Sequence, residues 1–300
     1  MILLTGASGY IGSAVYAALK QRDIPVLTAG RSSCDRFLDL NRCEGLSQLL
    51  ADITVVIHCA GIAHNKGNAA AYQVANVEAS GVLATAAVAA GVKQFIFLSS
   101  LNVVPASVND PGTPAALLPK PESLYAQSKW RAETLLSKLV GVSECEFVIL
   151  RPALVYDRTL TANLALLKKW QRRVPVSLPV TGERSLVARP DLVVLIVFLL
   201  LGSESKFTPS GQALAVTDGQ SYSAFRIAKA LTQTPTLRVP APLWRFFLFC
   251  LAVLPLAPAQ AIVASLSGHY WCGSSGAQPF NDASWSLERL LSATEAERAA

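Results

Sequence analysis

The 300-residue sequence predicts an α/β fold, in which helices cover both faces of a doubly wound parallel sheet. Short apolar runs alternate with helical patterns through the first half of the chain. These runs are continuously apolar, as expected of strands that are buried on both faces. A glycine-rich turn follows the first run directly, and the regular alternation weakens after residue 155. The last observation predicts a smaller C-terminal region after the main sheet.

The predicted elements alternate in order up to residue 152. The predicted strands cover 1–6, 24–30, 54–61, 94–100 and 146–152. The predicted helices cover 10–21, 46–51, 70–90 and 124–140, and glycines at 91 and 141 suit the ends of the last two. The loop at 102–123 is rich in Pro, Asn and Gly, and a loop of that length in a compact domain is usually functional or mobile.

Composition excludes several classes of protein. Hydrophobic residues make up 52% of the chain and charged residues 15%, which indicates a globular rather than a disordered protein. The net charge of +6 is spread along the sequence, so no nucleic-acid partner is expected. Six cysteines without paired spacing and only three histidines predict reduced thiols and no metal site. The absence of a signal-peptide pattern predicts a cytoplasmic protein.

Two apolar stretches raise the question of a membrane. The stretch 192–201 is too short to span a bilayer, which takes about 20 apolar residues. The stretch 243–268 is longer, but Arg245, Pro255 and Pro258 interrupt it. We therefore predict buried or surface-docked helices and no membrane span, with membrane attachment of the second stretch as the alternative.

The turn after the first strand has the pattern of a phosphate-binding loop. In TGASGYIG (5–12), three glycines form G-x-x-G-x-x-G immediately before a helix. Glycines allow a pyrophosphate to approach the backbone, and the helix N-terminus offers free N–H groups. We thus predict a Rossmann-like dinucleotide-binding domain at 1–160 and, partly interleaved with it, a mainly substrate-binding region at 161–300. The cofactor-binding residues predicted in this turn are Gly6, Ser8, Gly9, Tyr10, Ile11 and Gly12.

The end of the second predicted strand bears on the choice of cofactor. An NAD site usually has a carboxylate there, which binds the ribose hydroxyls. This strand ends Ala29-Gly30-Arg31-Ser32, without a carboxylate. Arg31 suits a 2′-phosphate, so NADP is preferred and NAD is the alternative.

The motif YAQSKWRAE (125–133) supplies a candidate acid–base pair. Tyr125 and Lys129 lie four residues apart and would share a helix face. An ammonium beside a phenol is expected to lower the pKa of the phenol, which then moves the proton of a carbinol during hydride transfer. Ser99 and Ser100 end the preceding strand, where a serine hydroxyl can bind the same substrate oxygen.

Taken together, these motifs resemble the extended short-chain dehydrogenase/reductases that act on sugar nucleotides. UDP-galactose 4-epimerases look similar, and so do reductases and epimerases of bacterial O-antigen synthesis. The resemblance covers nearly the whole chain. It rests on TGASGYIG, LDL (38–40), VIHCAGIAH (56–64), ANVEAS (75–80), FIFLSS (95–100), YAQSKWRAE, ILRPALVY (149–156) and DASWSLERLL (282–291).

The resemblance implies a role for individual residues. Asp39 would contact the adenine, with Leu40 beside it, and Lys129 would also bind the nicotinamide ribose. The other cofactor-binding residues would be Arg31, Ala60, Gly61 and Asn76. The catalytic residues would be Ser100, Tyr125 and Lys129. The substrate-binding residues would be Ser100, Asn102, Asn163 and Arg184.

The implied function is an NAD(P)-dependent 4-keto reductase or 4-epimerase that acts on C4 of a UDP-hexose in O-antigen synthesis. Its partner would be the UDP-sugar, and a homodimer is possible. The substrate half departs from the family pattern, since Asp157-Arg158 replaces the usual Gly-Pro and SGAQPF (275–280) replaces a second diphosphate-binding arginine. A non-catalytic dinucleotide-binding or membrane-associated scaffold of the same fold is therefore the alternative.

Overall fold

The computed structural model divides the chain into two units. The first consists of Met1–Ala153 and Leu192–Val216, and the second of Leu154–Asp191 and Thr217–Ala300. The residues described are 1–40, 45–63, 67–105, 107–141, 143–160, 162–173, 176–178, 180, 182–201, 213–232, 239–253 and 285–293.

A seven-stranded parallel sheet forms the centre of the first unit. Its spatial order is β3-β2-β1-β4-β5-β6-β9, and every neighbouring pair of strands is parallel. This sheet confirms the predicted Rossmann-like α/β fold class. The strands are β1 (Ile2–Thr5), β2 (Val26–Gly30), β3 (Arg36–Phe37), β4 (Val55–His58), β5 (Gln94–Leu98), β6 (Glu146–Pro152) and β9 (Ala213–Val216).

The helices of the first unit include one that the sequence did not predict correctly. The helix predicted at 70–90 is divided by a π-helical segment, Gln73–Glu78, which widens the turn that carries Asn76. Such segments frequently mark functional sites. The helices are α1 (Tyr10–Gln21), α2 (Leu46–Leu50), α3 (Ala69–Tyr72), α4 (Ala79–Ala89), α5 (Leu124–Val140) and α7 (Arg189–Leu201), whose first three residues belong to the second unit.

The main core of the first unit lies between one face of the sheet and helices α4 and α5. Strand residues such as Phe95 and Phe147 are fully buried against helix residues such as Leu83 and Leu136. Full burial of one such side chain stabilises the fold by about 1.5–3 kcal/mol. The sheet is therefore a rigid support for the residues at the carboxyl ends of its strands.

A three-stranded sheet of order β10-β8-β7 organises the second unit. The Asp218 carboxylate accepts hydrogen bonds from the hydroxyls of Tyr156 and Tyr222 at 2.9 and 2.6 Å. Among the described residues, no helix is both long and apolar enough to cross a membrane. The elements are β7 (Leu154–Tyr156), β8 (Arg184–Ala188), β10 (Ser221–Tyr222), α6 (Ala162–Arg173), α8 (Ala224–Thr232), α9 (Ala241–Val253) and α10 (Leu287–Ser292).

Candidate active site

The glycine-rich turn packs tightly between β1 and α1. Gly6 has a φ of +75°, and a Cβ built on it would lie 2.6 Å from the backbone nitrogen of Ala60. A Cβ on Gly12 would lie only 2.1 Å from the carbonyl oxygen of Gly6. Gly9 is the N-cap residue of α1, and no side chain accepts a hydrogen bond from the first N–H groups of the helix. The helix N-terminus can therefore receive an anion. These features fit the pyrophosphate of a dinucleotide.

Gly12→Ala is expected to weaken dinucleotide binding by about 10- to 100-fold. The added methyl would overlap the Gly6 carbonyl and force the loop backbone to move, and overpacking of this kind costs about 1–3 kcal/mol. The dissociation constant can be measured by fluorescence titration with NADH and NADPH. Ser13→Ala is the control on the same helix, because the Ser13 hydroxyl is exposed and bonds only the Tyr10 carbonyl at 3.3 Å. Equal affinity of Gly12→Ala and the wild type would contradict the assignment.

The end of β2 carries the residues predicted to select the cofactor. Arg31 follows the strand directly and is exposed, while Asp39 and Leu40 are half-buried just beyond β3. Asp35, which belongs to none of the sequence motifs, accepts hydrogen bonds from the backbone N–H and the hydroxyl of Thr28, both at 2.8 Å. These bonds lower the pKa of Asp35 and hold its carboxylate on the β2 backbone.

Asn76 ties the loop after β4 to helix α5. Its side chain is fully buried, accepts from the Ile62 N–H at 2.7 Å and donates to Ser128 Oγ at 2.9 Å. Gly61 lies beside it with a φ of +153°, and a Cβ there would be 2.8 Å from Asn76 Oδ1 and 3.5 Å from Lys129 Nζ. Gly61, Asn76 and Lys129 are thus brought together.

The Tyr125 side chain is hydrogen-bonded to Ser100. Its ring also contacts that of Tyr72, with centroids 5.9 Å apart. Burial raises the pKa of Tyr125, the Ser100 bond lowers it in part, and Tyr72 raises it further. The predicted lowering of this pKa by Lys129 is therefore wrong for the protein alone, because burial dominates.

Lys129 is buried and lies one turn after Tyr125 on helix α5. Its ammonium donates to the carbonyl of Leu98 at 2.9 Å and lies 4.8 Å from the centre of the Phe97 ring. Burial lowers the pKa of Lys129 to about 8, against the opposing effects of Cys59 and Glu133. The ammonium is thus held at the carboxyl end of β5, next to Ser99 and Ser100.

A second buried network, which no sequence motif predicted, joins helix α5 to strand β6. Arg151 donates to both carboxylate oxygens of Glu133, with its closest contact at 2.6 Å, and both side chains are fully buried. Ser99 donates to the same carboxylate. Arg151 also donates to the carbonyls of Pro111 and Thr113 at 2.7 and 2.8 Å. The only signals in the sequence are an arginine in an apolar strand and a glutamate one turn after Lys129.

His58 connects β1 with α4 behind the active-site residues. Its ring nitrogens lie 2.7 Å from Thr5 Oγ1 and 2.9 Å from Ser80 Oγ, and Ser80 donates to the carbonyl of Asn76 at 2.8 Å. Burial lowers the pKa of His58 to about 3, with Lys129 acting in the same direction, so the ring is neutral at physiological pH. This histidine therefore joins β1 to α4 through its hydrogen bonds and supports Asn76 through Ser80.

The predicted substrate residues are distributed over both units. Asn102 is exposed, and its N–H bonds Ser100 Oγ at 3.3 Å. Asn163 lies in the first turn of α6, but its side chain is outside the described residues. Arg184 is the first residue of β8. It lies opposite Tyr222 in the antiparallel ladder between β8 and β10. His64 and residues 282–284 of the DASWSLERLL segment also lie outside the described residues.

Comparison with known proteins identifies the family. Residues 2–206 match the sequence model of the NAD dependent epimerase/dehydratase family. The chain belongs to this family. UDP-glucose 4-epimerase of Vibrio cholerae is 32% identical over 273 aligned positions, which cover 83% of this chain and 80% of the relative.

Solved structures of similar fold include other proteins with epimerase and reductase activities. UDP-glucose 4-epimerase from Thermotoga maritima, solved with UDP-glucose, has a TM-score of 0.64 and 21% identity, with coverage of 80% of this chain and 85% of that one. A dTDP-4-dehydrorhamnose reductase from Bacillus anthracis, solved with NADP, has a TM-score of 0.63 and 20% identity, with coverage of 80% and 84%. At these identities the likeness shows the fold.

Membership of the epimerase/dehydratase family confirms the predicted enzyme class. The chain is an enzyme of the extended short-chain dehydrogenase type, in the branch of sugar-nucleotide epimerases and reductases. Its cofactor is a nicotinamide dinucleotide, for which the turn at Gly6, Gly9 and Gly12 has the required close backbone packing.

Proposed function

We propose that this enzyme is a 4-epimerase of UDP-hexoses that serves bacterial surface polysaccharide (O-antigen) synthesis. The observation that carries the proposal is the hydrogen bond between Ser100 and Tyr125, one helix turn from the buried Lys129. The 32% identical UDP-glucose 4-epimerase supports the choice of C4 and of a UDP-sugar. The likeness of IHCAGIAH and FIFLSSLNV to O-antigen enzymes supports the biosynthetic setting.

The residues of the site have separate roles in proton transfer and in binding. A bound nicotinamide dinucleotide would supply the reversible hydride chemistry at C4. Tyr125 takes the C4 hydroxyl proton and gives it back, and Ser100 orients the C4 oxygen. Lys129 would hold the nicotinamide ribose, with the glycine turn at the pyrophosphate. Asn102, Asn163 and Arg184 would bind the UDP-sugar.

We expect the loss of the Tyr125 proton to depend on the bound cofactor. In the protein alone, burial keeps the phenol protonated, which suits proton donation to a ketone. Loss of its proton would need a nearby positive charge, which an oxidised nicotinamide dinucleotide would supply when bound. Epimerisation requires both directions of proton transfer, so we expect Tyr125 to act as a base only with the oxidised cofactor bound.

A 4-keto reductase that uses NADPH is the second candidate. Arg31 is exposed at the end of β2, and Asp35 is held on the Thr28 backbone and hydroxyl. This arrangement leaves a cation rather than a carboxylate beside the strand end, which favours a 2′-phosphate and hence NADP. A reductase would release the oxidised cofactor after each turnover, whereas an epimerase retains it.

The two candidates can be separated by the nucleotide that the purified enzyme carries. The protein is denatured and the released nucleotide identified by mass, and interconversion of UDP-glucose and UDP-galactose is then assayed. Retained NAD together with interconversion is the expected result. No retained nucleotide, with NADPH-dependent reduction of a UDP-4-keto-hexose, would replace the epimerase by the reductase. Failure of both activities would overturn the proposed chemistry at C4.

A further inference from the structure

Helix α9 of the second unit exposes an unusual amount of apolar surface. Its exposed side chains include Phe246 (66%), Phe249 (65%) and Val253 (65%). Single exposed apolar residues are normal on a soluble protein, whereas a contiguous patch marks an interaction site. The large apolar residues exposed on this helix are Leu243, Phe246, Phe247, Phe249 and Val253.

One side of α9 is fixed to the second unit. Trp244 donates its indole N–H to the carbonyl of Ser177 at 2.9 Å and packs against the cluster of Leu178, Ala224 and Ala228. Leu248, one turn further on, is half-buried. The helix is therefore anchored through Trp244 and Leu248, whereas the five exposed apolar residues named above face outwards.

The dimensions of α9 decide between spanning a bilayer and lying on it. Its 13 residues give a length of about 20 Å at 1.5 Å per residue. The hydrocarbon core of a bilayer is about 30 Å thick, so the described residues of this helix are too few to cross it. A short apolar helix fixed along one side can instead lie in the plane of the interface, with its exposed side chains among the acyl chains.

Basic side chains on helix α6 match a negatively charged surface. Leu167 of α6 packs against the same small cluster as Trp244, so α6 and α9 both pack beside Ala224 and Ala228 of α8. On α6, successive turns present basic residues around a cavity of about 330 Å³. The lining residues are Arg158, Leu160, Ala165, Lys168, Lys169 and Arg172.

The described residues of the second unit carry a positive net charge, as the basic residues of α6 do. Its described residues include 11 arginines and lysines but only five aspartates and glutamates. Two of those acids pair with arginines, Asp157 with Arg189 and Glu288 with Arg226, which leaves nine cationic and three acidic residues outside these pairs. A cationic residue near an anionic membrane contributes about 1 kcal/mol of attraction.

We propose that the second unit docks on an anionic phospholipid bilayer through α9 and the basic residues of α6. The exposed phenylalanines of α9 enter the interface, and Arg245 extends its charged end to the headgroups. Lys168, Lys169 and Arg172 bind lipid phosphates. This inference is independent of the proposed reaction, since it uses none of the residues assigned to catalysis.

The test is sedimentation of the full-length enzyme with vesicles. Vesicles of phosphatidylglycerol and phosphatidylcholine are compared with vesicles of phosphatidylcholine alone. The wild type is expected to bind the anionic vesicles, and Phe246→Ser/Phe249→Ser to lower the partition coefficient by about 100-fold through lost apolar burial. Lys169→Glu/Arg172→Glu is expected to lower it by about 10- to 100-fold, and added salt to weaken binding.

A matched control removes exposed apolar side chains elsewhere. Phe37→Ser/Leu117→Ser alters two residues of the first unit that are each 75% exposed, and it should bind as the wild type does. Absence of binding to anionic vesicles would overturn the proposal. So would a concentration-dependent dimer, measured by light scattering, that Phe246→Ser/Phe249→Ser dissociates, because α9 would then be covered by a second copy. Equal binding to neutral vesicles, with no effect of Lys169→Glu/Arg172→Glu, would overturn the role of α6.

Discussion

Tyr125→Phe is expected to lower turnover by about 10³-fold while the fold and cofactor affinity stay close to those of the wild type. The phenol hydroxyl is bonded to Ser100 and is the group proposed to move the substrate proton. A positioned acid–base group contributes about 10²- to 10⁴-fold to a rate. Phenylalanine fills nearly the same volume, so the ring contact with Tyr72 is preserved. Steady-state kinetics with UDP-glucose and thermal unfolding measure the two effects separately.

Tyr72→Phe is the control for Tyr125→Phe. The Tyr72 hydroxyl donates to the carbonyl of Ala63 at 3.0 Å, on the loop after β4, and its ring lies beside that of Tyr125. Its removal costs one ordinary hydrogen bond, about 0.5–1.5 kcal/mol, so turnover should fall by less than about tenfold. Near-normal turnover of Tyr125→Phe, or an equal loss in both variants, would remove Tyr125 from the proposed mechanism.

Arg151→Leu is expected to lower the free energy of unfolding by about 3–5 kcal/mol. The substitution leaves the Glu133 carboxylate fully buried without its cation, which is strongly destabilising. It also removes the donors to the carbonyls of Pro111 and Thr113, which fix the long loop after β5. Urea denaturation followed by tryptophan fluorescence measures the loss.

Glu288→Gln tests whether burial is the reason for that loss. Glu288 pairs with Arg226 at 2.7 Å, but the two side chains are 41% and 35% exposed. Exposed pairs of this kind contribute about 0–1 kcal/mol. An Arg151→Leu variant as stable as Glu288→Gln would show that the buried pair is not a structural requirement.

Local sequence patterns predicted five of the seven strands of the large sheet, whereas β3 and β9 were not predicted. Continuous apolar runs predicted those five strands, and the spacing of Gly6, Gly9 and Gly12 between a strand and a helix predicted the tight turn before α1. The four-residue spacing of Tyr125 and Lys129 placed them on one face of α5, as the structure shows. Each of these patterns lies within a few residues of sequence.

Features that depend on distant residues could not be predicted. The pairing of Arg151 with Glu133 joins a strand and a helix, and the pKa of Tyr125 depends on burial by the whole fold. The strands of the second unit are two to five residues long, too short to give a periodic signal. Nothing near Asn76 in the sequence indicates the π-helical turn that carries it.

The path of the chain limits how the protein can be divided. Strand β9 completes the edge of the large sheet beside β6, yet β7, α6 and β8 come between them in the sequence. A fragment that stopped at Ala153 would leave the β6 edge with unpaired backbone groups, which is a hazard for aggregation. During translation the sheet cannot close until Val216 has left the ribosome. The nucleotide-binding unit therefore cannot be excised as one continuous piece for expression or for transfer to another protein.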